Sequence, residues 1–254
     1  PHFAKVGVCC DVIQQYDGHH HLGKMWPLLL FVVSTARALG MWDASKGVFA
    51  GDKAATPRSF RLPDPLWVFG YASLVWRPEP GWEAYERRRG VCEGWCRVFA
   101  QRSTDHRGTP EAPGLVCTML PETALLDGAP APGEKPLGTC YLIPRDDADA
   151  VLATLDFREK GGYTRQVVSV TLDDGTKIEA LVYSATTENP NFDPSLASTS
   201  PAALDEAARI IATSVGPSGP NTEYLFQLAD ACPDDPYLQA LASRVRALLQ
   251  QQQQ

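Results

Sequence analysis

Residues 67–76 read Trp67-Val68-Phe69-Gly70-Tyr71-Ala72-Ser73-Leu74-Val75-Trp76. Leu66, Trp67, Val68 and Phe69 are large, apolar and β-favouring, so the first half reads as a buried strand. Gly70-Tyr71-Ala72-Ser73 then breaks that run with mostly small residues. Small residues let backbone N–H groups approach a ligand and converge on one spot. Such a loop suits a carboxylate, or a carbonyl oxygen that gains charge during a reaction. On spacing alone, the plainer reading of a strand and a tight turn is favoured.

A second stretch, Asp156-Phe157-Arg158-Glu159-Lys160-Gly161-Gly162-Tyr163, shifts that balance. Together the two stretches resemble the ChaC family of glutathione-specific γ-glutamylcyclotransferases. In that family a strand ends in a Gly-Tyr-Gly-Ser-Leu loop, and the catalytic glutamate lies in an Arg-Glu-Lys-Gly-Gly-Tyr segment. The resemblance continues in Gln101–Pro110 (QRSTDHRGTP), in Ala185–Asn191 (ATTENPN) and in Val215–Leu225 (VGPSGPNTEYL). These five motifs, in family order, cover roughly Leu66 to Leu249.

The resemblance implies an α+β fold of the γ-glutamylcyclotransferase-like type, a small mixed β-barrel with flanking α-helices. It implies a lyase in which the α-amine of a γ-glutamyl group attacks its own γ-carbonyl, closing 5-oxoproline and expelling cysteinylglycine. Carried onto this chain, Glu159 is the catalytic residue, and Gly70, Tyr71, Ala72, Ser73, Leu74 and Val75 bind substrate. The expected partner is glutathione as a small-molecule substrate, with no cofactor, metal, nucleic acid or membrane, in a monomer in the cytoplasm. The alternatives are a cyclotransferase for other γ-glutamyl peptides or amines and a non-catalytic γ-glutamyl-binding protein, the latter through one departure, Ala72, where the family has its second loop glycine. If that position needs φ > 0, alanine costs about 1 kcal/mol and twists the N–H groups off target; if φ is negative, the change is harmless.

Composition agrees with an ordinary globular protein: 254 residues, 44% hydrophobic and 21% charged, enough to bury a core. A net charge of −7, with the acidic residues scattered, gives no footprint for nucleic acid or an acidic membrane. Seven cysteines (9, 10, 92, 96, 117, 140, 232) form no zinc-type pairing, and Cys117 and Cys140 sit in apolar runs that suit buried thiols. This usage points to a reduced compartment.

Residues 1–62 have no counterpart in the family core and read as a leader or linker, disordered or targeting. His19-His20-His21 lacks a scaffold that would converge three ligands on a metal. Trp26–Val33 is an apolar run of eight, followed by Ala36-Arg37-Ala38, a small-x-small pattern. It is too short to span a bilayer and suits a signal-peptide core, an organelle leader or a buried helix, so an organelle or secretory address from Met25–Ala38 stays open. Residues 63–249 form the catalytic domain, and 250–254 a glutamine tail.

Within that domain, Glu83 to Gly90 is dense in charge and reads as solvated surface. Val91–Arg102, Gly114–Leu120 and Leu137–Ile143 read as strands, the last two separated by the Pro- and Gly-rich insert 121–136. Asp146 and Asp147 supply cap and dipole chemistry for a helix with Ala148, Val151, Leu152 and Leu155 on one stripe. Gly161-Gly162 ends it and leaves Glu159 at or just past its C-terminus. Thr164–Leu172 and Lys177–Ser184 form a hairpin across Asp173-Asp174-Gly175. Three helices follow: one capped by Ser200 with Leu204, Ala208, Ile211 and Val215 inward, one over Asn221–Ala231, and one opened by Asp235-Pro236.

Ser73 has no His–Asp pair in recognisable context, so it reads as a binding residue and not a nucleophile. His106 reads as a structural loop residue. Asp156 lies three residues before Glu159, a possible carboxylate pair, but the simpler reading is a last-turn helix residue.

Overall fold

The computed structural model describes residues 60–126, 135–159 and 162–252. Cys9, Cys10, His19–His21, the Met25–Ala38 segment, residues 127–134 of the 121–136 insert, Lys160 and Gly161 lie outside the described residues. The first strand, β1 (Trp67–Gly70), is buried along its whole length. It is followed by β2 (Arg87–Cys92), β3 (Trp95–Ser103), β4 (Gly114–Pro121) and β5 (Leu137–Leu142). Helix α1 (Ala148–Arg158) leads into the hairpin β6 (Tyr163–Leu172) and β7 (Lys177–Ala185). Helix α2 (Pro201–Thr213), the two-residue strands β8 (Val215–Gly216) and β9 (Gly219–Pro220), α3 (Asn221–Ala231) and α4 (Pro236–Gln251) complete the chain.

Five strands close a barrel in the order β1-β5-β2-β6-β7. Every ladder is antiparallel except the closing one, where β1 meets β7 in parallel through Val68 and Leu181. β3 and β4 form a separate antiparallel pair, with an irregularity between Val98 and Gln101. The α+β class and mixed barrel expected from the sequence are what the chain adopts.

The two-residue period of β1 divides the core. Trp67, Phe69 and Tyr71 join a large cluster with β3, β4 and helices α2–α4, while Leu66 and Val68 join a second with Tyr141, Leu181 and the Val151, Leu152, Leu155 stripe of α1. Each successive side chain therefore pins β1 from an opposite face. Ser200 and Asp235 cap α2 and α4 by accepting from the Ala203 and Leu238 N–H groups. Cys117 and Cys140 are buried.

Four local expectations are corrected. Glu83–Gly90 is not simply solvated surface: Arg87–Gly90 belongs to a barrel strand, and Arg88 reaches Asp173 and Asp174 at the 173–175 turn. Charge masked a strand whose partners are 85 residues away. Val91–Arg102 is not one strand, because Glu93-Gly94 turns the chain, with Gly94 at φ +72°. Asp147 makes no side-chain cap on α1; its carboxylate accepts instead from the Tyr85 hydroxyl at 2.8 Å. Val215 is 59% exposed, because α2 stops at Thr213 and the chain turns into β8 before the stripe can continue. Helix α4 also runs on through Gln251, into the glutamine run.

Candidate active site

The strand-to-loop switch at the end of β1 places the expected binding residues in one tight turn. Gly70 ends the strand opposite Thr139, and a Cβ on it would lie 2.5 Å from the Leu74 Cβ. Only a residue without a side chain permits this chain reversal. Ala72 sits at φ −119°, so alanine carries no left-handed penalty. Ser73–Val75 forms a 3-10 turn whose first bond runs from the Val75 N–H to the Ala72 carbonyl at 2.9 Å. The Ser73 and Leu74 N–H groups therefore precede the first bond of the turn and are not used within it.

Tyr71 is buried, and its hydroxyl donates to the Tyr183 carbonyl at 2.9 Å. The Tyr141 hydroxyl donates to the Leu74 carbonyl at 2.7 Å. Val75 is partly buried against the large core cluster. The loop is thus held from β5 and β7, strands that neighbour β1 in the barrel but lie far from it in sequence.

Glu159 occupies the C-cap of α1, its N–H bonded to the Leu155 carbonyl at 2.8 Å. Arg158 joins it to the loop. Its guanidinium donates to the Ser73 Oγ, pairs with Glu79, and comes to 3.5 Å from Glu159 Oε1. The helix end and the loop, 85 residues apart, are therefore neighbours. Just beyond, Gly162 at φ +88° turns the chain into β6, and the Asn189 amide sits 2.7 Å from where its Cβ would be. Asn189 is buried and its Oδ1 accepts from the Asn191 N–H at 2.8 Å. The Asn-Pro-Asn motif thus backs the turn that follows Glu159.

Burial pushes the Glu159 carboxyl above its ordinary value, and Arg158 and His106 pull it partly back. Its side chain still keeps 24% of its surface exposed, so a small molecule can reach it. Around it, burial raises the Tyr71 and Tyr163 phenols well above their usual value, and the charge of Glu159 raises both further. Burial also pushes the Cys117 thiol up to about 11, and its Sγ lies 3.3 Å from the Tyr224 hydroxyl. These groups stay neutral near pH 7.

The other motifs converge here. Asn221 bonds both the N–H and the carbonyl of Leu115, at 2.6 and 2.7 Å, acting as a surrogate strand at the start of β4. Arg107 pairs with Glu223 at 2.9 Å and lies over the Tyr224 ring. His106 is 70% exposed and bonded to Asp105; that bond, reinforced by the Glu159 charge, raises its pKa.

Asp156 is not paired with Glu159. It binds Arg165 through both oxygens, at 2.8 and 2.7 Å, and accepts from the Tyr183 hydroxyl, fastening the end of α1 to β6 and β7. Sequence reasoning missed Glu79, which lies between Pro78 and Pro80 with no neighbouring signal of a distant partner. It also passed over Arg97, although a lone arginine between Cys96 and Val98-Phe99 in a strand is a readable signal. A cleft of about 300 Å³ on β2, β5 and β6 shares no residue with this constellation, and its Glu93 and Lys135 already pair with each other. Among the described residues, no cluster of His, Cys, Asp or Glu is placed to hold a metal, and no helix is long and apolar enough to cross a membrane.

The family model described as ChaC-like protein matches residues 66–251. A glutathione-specific γ-glutamylcyclotransferase of Schizosaccharomyces pombe is 40% identical over 172 residues, covering 65% of this chain and 81% of the relative. The human glutathione-specific γ-glutamylcyclotransferase 1 is 35% identical over 181 residues, covering 70% and 74%. A crystal structure of a yeast γ-glutamylcyclotransferase specific to glutathione aligns with a TM-score of 0.59 at 31% identity, covering 72% of this chain and 98% of that one. With its barrel, its small-residue loop and its Arg158-Glu159 helix end accounted for, the chain belongs to the ChaC-like family.

Proposed function

We propose that the protein is a glutathione-specific γ-glutamylcyclotransferase, a lyase that cleaves glutathione to 5-oxoproline and cysteinylglycine. The relatives that carry this activity in their names match most of the domain. The observation that carries the mechanism is the meeting of Glu159, its pKa raised by burial, with the Gly70–Val75 loop through Arg158.

In the reaction the α-amine nitrogen bonds to the γ-carbonyl carbon, and the carbonyl oxygen takes up negative charge. The γ-amide C–N bond then breaks, and the proton lost by the amine ends on the departing cysteinylglycine nitrogen. No water is consumed, so the equation balances on glutathione alone. Glu159 takes the proton from the attacking amine and returns it to the leaving nitrogen. A raised carboxyl pKa makes the carboxylate a stronger base than an ordinary one and so favours the first of these transfers. N–H groups of the loop face the charged oxygen, and the loop residues hold the γ-glutamyl chain curled for ring closure. Ser73, engaged by Arg158, binds and orients; it is not a nucleophile.

A non-catalytic γ-glutamyl binder that lost turnover through a left-handed Ala72 is the competing reading, and φ −119° at that residue speaks against it. Incubating the purified chain with glutathione and measuring 5-oxoproline and cysteinylglycine tests the proposal; binding without either product defeats it. The same reading places the enzyme in the cytoplasm as a monomer. Routing of a reporter fused to residues 25–65 into an organelle, or a dimer in sedimentation, would overturn that setting.

A further inference from the structure

A buried ion pair reaches the binding loop from behind. Arg97 on β3 and Asp235, the N-cap of α4, are 1% and 3% exposed, and they pair directly. The same guanidinium donates to the Tyr71 carbonyl at 2.9 Å and to the Leu137 carbonyl at 2.6 Å, while its Nε finds no acceptor. Asp235 is fixed in turn, since its Oδ1 accepts from the Leu238 N–H at 3.0 Å. A rigid helix start therefore holds a carboxylate, the carboxylate holds a planar fork, and the fork holds one loop carbonyl.

Burying such a pair is costly, and a well-packed apolar pair is often as stable or more so. The unsatisfied Nε adds to the cost. Stability alone does not account for the arrangement, but geometry does. In a trans peptide the C=O and the following N–H point in opposite directions. Fixing the Tyr71 carbonyl toward Arg97 therefore fixes the Ala72 N–H away from it, at the start of the turn expected to meet substrate. The hydroxyl bond of Tyr71 to the Tyr183 carbonyl fixes the ring and not the peptide plane.

We infer that Arg97, braced by Asp235, is a positioning residue that sets the Tyr71–Ala72 peptide of the binding loop and couples α4 to the rate of ring closure. This inference rests on the proposed glutathione cleavage, but its test has a readout independent of it. Arg97→Met alone strands Asp235 and should lower Tm by several degrees. Arg97→Met/Asp235→Asn removes both charges while keeping the α4 cap, and should bring Tm back to within a few degrees of wild type. Its kcat on glutathione should stay at least about tenfold low, with KM changed less than about threefold, and its Ala72–Val75 amides should exchange hydrogen at least about tenfold faster. Arg97→Lys, which keeps the charge but not the fork, should show the same rate and exchange changes and covers the case in which the double variant does not fold. Wild-type kcat and wild-type loop exchange in either folded variant would overturn the positioning role. A wild-type chain that makes no 5-oxoproline defeats the proposed function instead, and the exchange measurement still decides whether Arg97 sets the loop.

Discussion

Glu159→Gln separates chemistry from structure at this site. The change is nearly isosteric and removes the ability to accept a proton. Its structural cost is small, because the one ion pair lost is at 3.5 Å between side chains 32% and 24% exposed. Pairs of that kind contribute about 0–1 kcal/mol. Against a typical native stability of about 5–15 kcal/mol, such a loss leaves the folded fraction unchanged. Losing a positioned base costs at least about a hundredfold, or roughly 2.7 kcal/mol of barrier. The two effects differ enough that a rate loss cannot be mistaken for unfolding. The assay is 5-oxoproline formation at saturating glutathione, beside calorimetric glutathione affinity and a thermal melt. A folded, glutathione-binding Glu159→Gln protein that forms lactam at the wild-type rate would remove Glu159 from the mechanism.

The pH behaviour follows from the same group. Burial raises the carboxyl in the folded state, so the folded chain binds the Glu159 proton more tightly than the unfolded one. Stability attributable to this group is therefore present below the ordinary carboxylate pKa of about 4.3 and is lost as pH rises through the higher folded value. The melting-temperature difference, wild type minus Glu159→Gln, should fall across that window and stay flat above it. Activity runs the opposite way, since the base works only when ionised. The acid limb of kcat/KM should lie above the ordinary carboxylate range and be absent from the residual rate of Glu159→Gln.

Gly70→Ala drives a Cβ to 2.5 Å from the Leu74 Cβ, so the backbone must move; a loss of about 1–3 kcal/mol and at least a tenfold fall in kcat/KM are expected in melts and steady-state assays. Ala72→Gly should change turnover by less than about tenfold, because φ is already negative; a hundredfold gain would mean that alanine holds the loop off its working geometry. Asp156→Ala strands Arg165 and frees the Tyr183 hydroxyl, costing about 2–3 kcal/mol and lowering Tm by about 5–10 °C; an unchanged melt would show the clamp to be idle. Glu79→Gln releases one arm of Arg158 toward Glu159, so the acid limb of kcat/KM should move down; an unmoved limb would show that Glu79 does not tune the base.

What the sequence made legible is local. The apolar-to-small switch at Phe69-Gly70 marks the end of a strand, Asp173-Asp174-Gly175 marks a hairpin, and Ser200-Pro201 marks a helix start. Each depends on a few adjacent residues, and each element formed where those residues put it. The expected site loop and Glu159 were legible through motif likeness, and the structure sets them side by side through Arg158. Barrel closure depends on pairings such as Val68 with Leu181, which leave no local mark. Arg87–Arg89 shows the failure most plainly. Three adjacent charges imply solvent by composition, and Arg87 and Arg89 are exposed, yet the run is a strand, and Arg88 finds its carboxylates only because β6 returns alongside β2.

The triplet Arg158-Glu159-Lys160 illustrates why a charge run cannot be scored without its distant partners. In sequence, Arg158 and Lys160 both adjoin Glu159 and would hold its carboxyl down. A carboxylate gripped by two parallel guanidinium bonds is stabilised in its charged form and accepts protons poorly. In the fold, one Arg158 arm goes to Glu79 and another to the Ser73 hydroxyl, leaving only a 3.5 Å approach of Nε to Glu159. Glu79 thus takes up much of the charge that adjacency would have given to Glu159. Burial then wins over the cation, and the carboxyl moves up instead of down. The arginine that sequence adjacency casts as a brake on Glu159 is spent on tethering the loop to the helix end, the geometry on which the proposed ring closure relies.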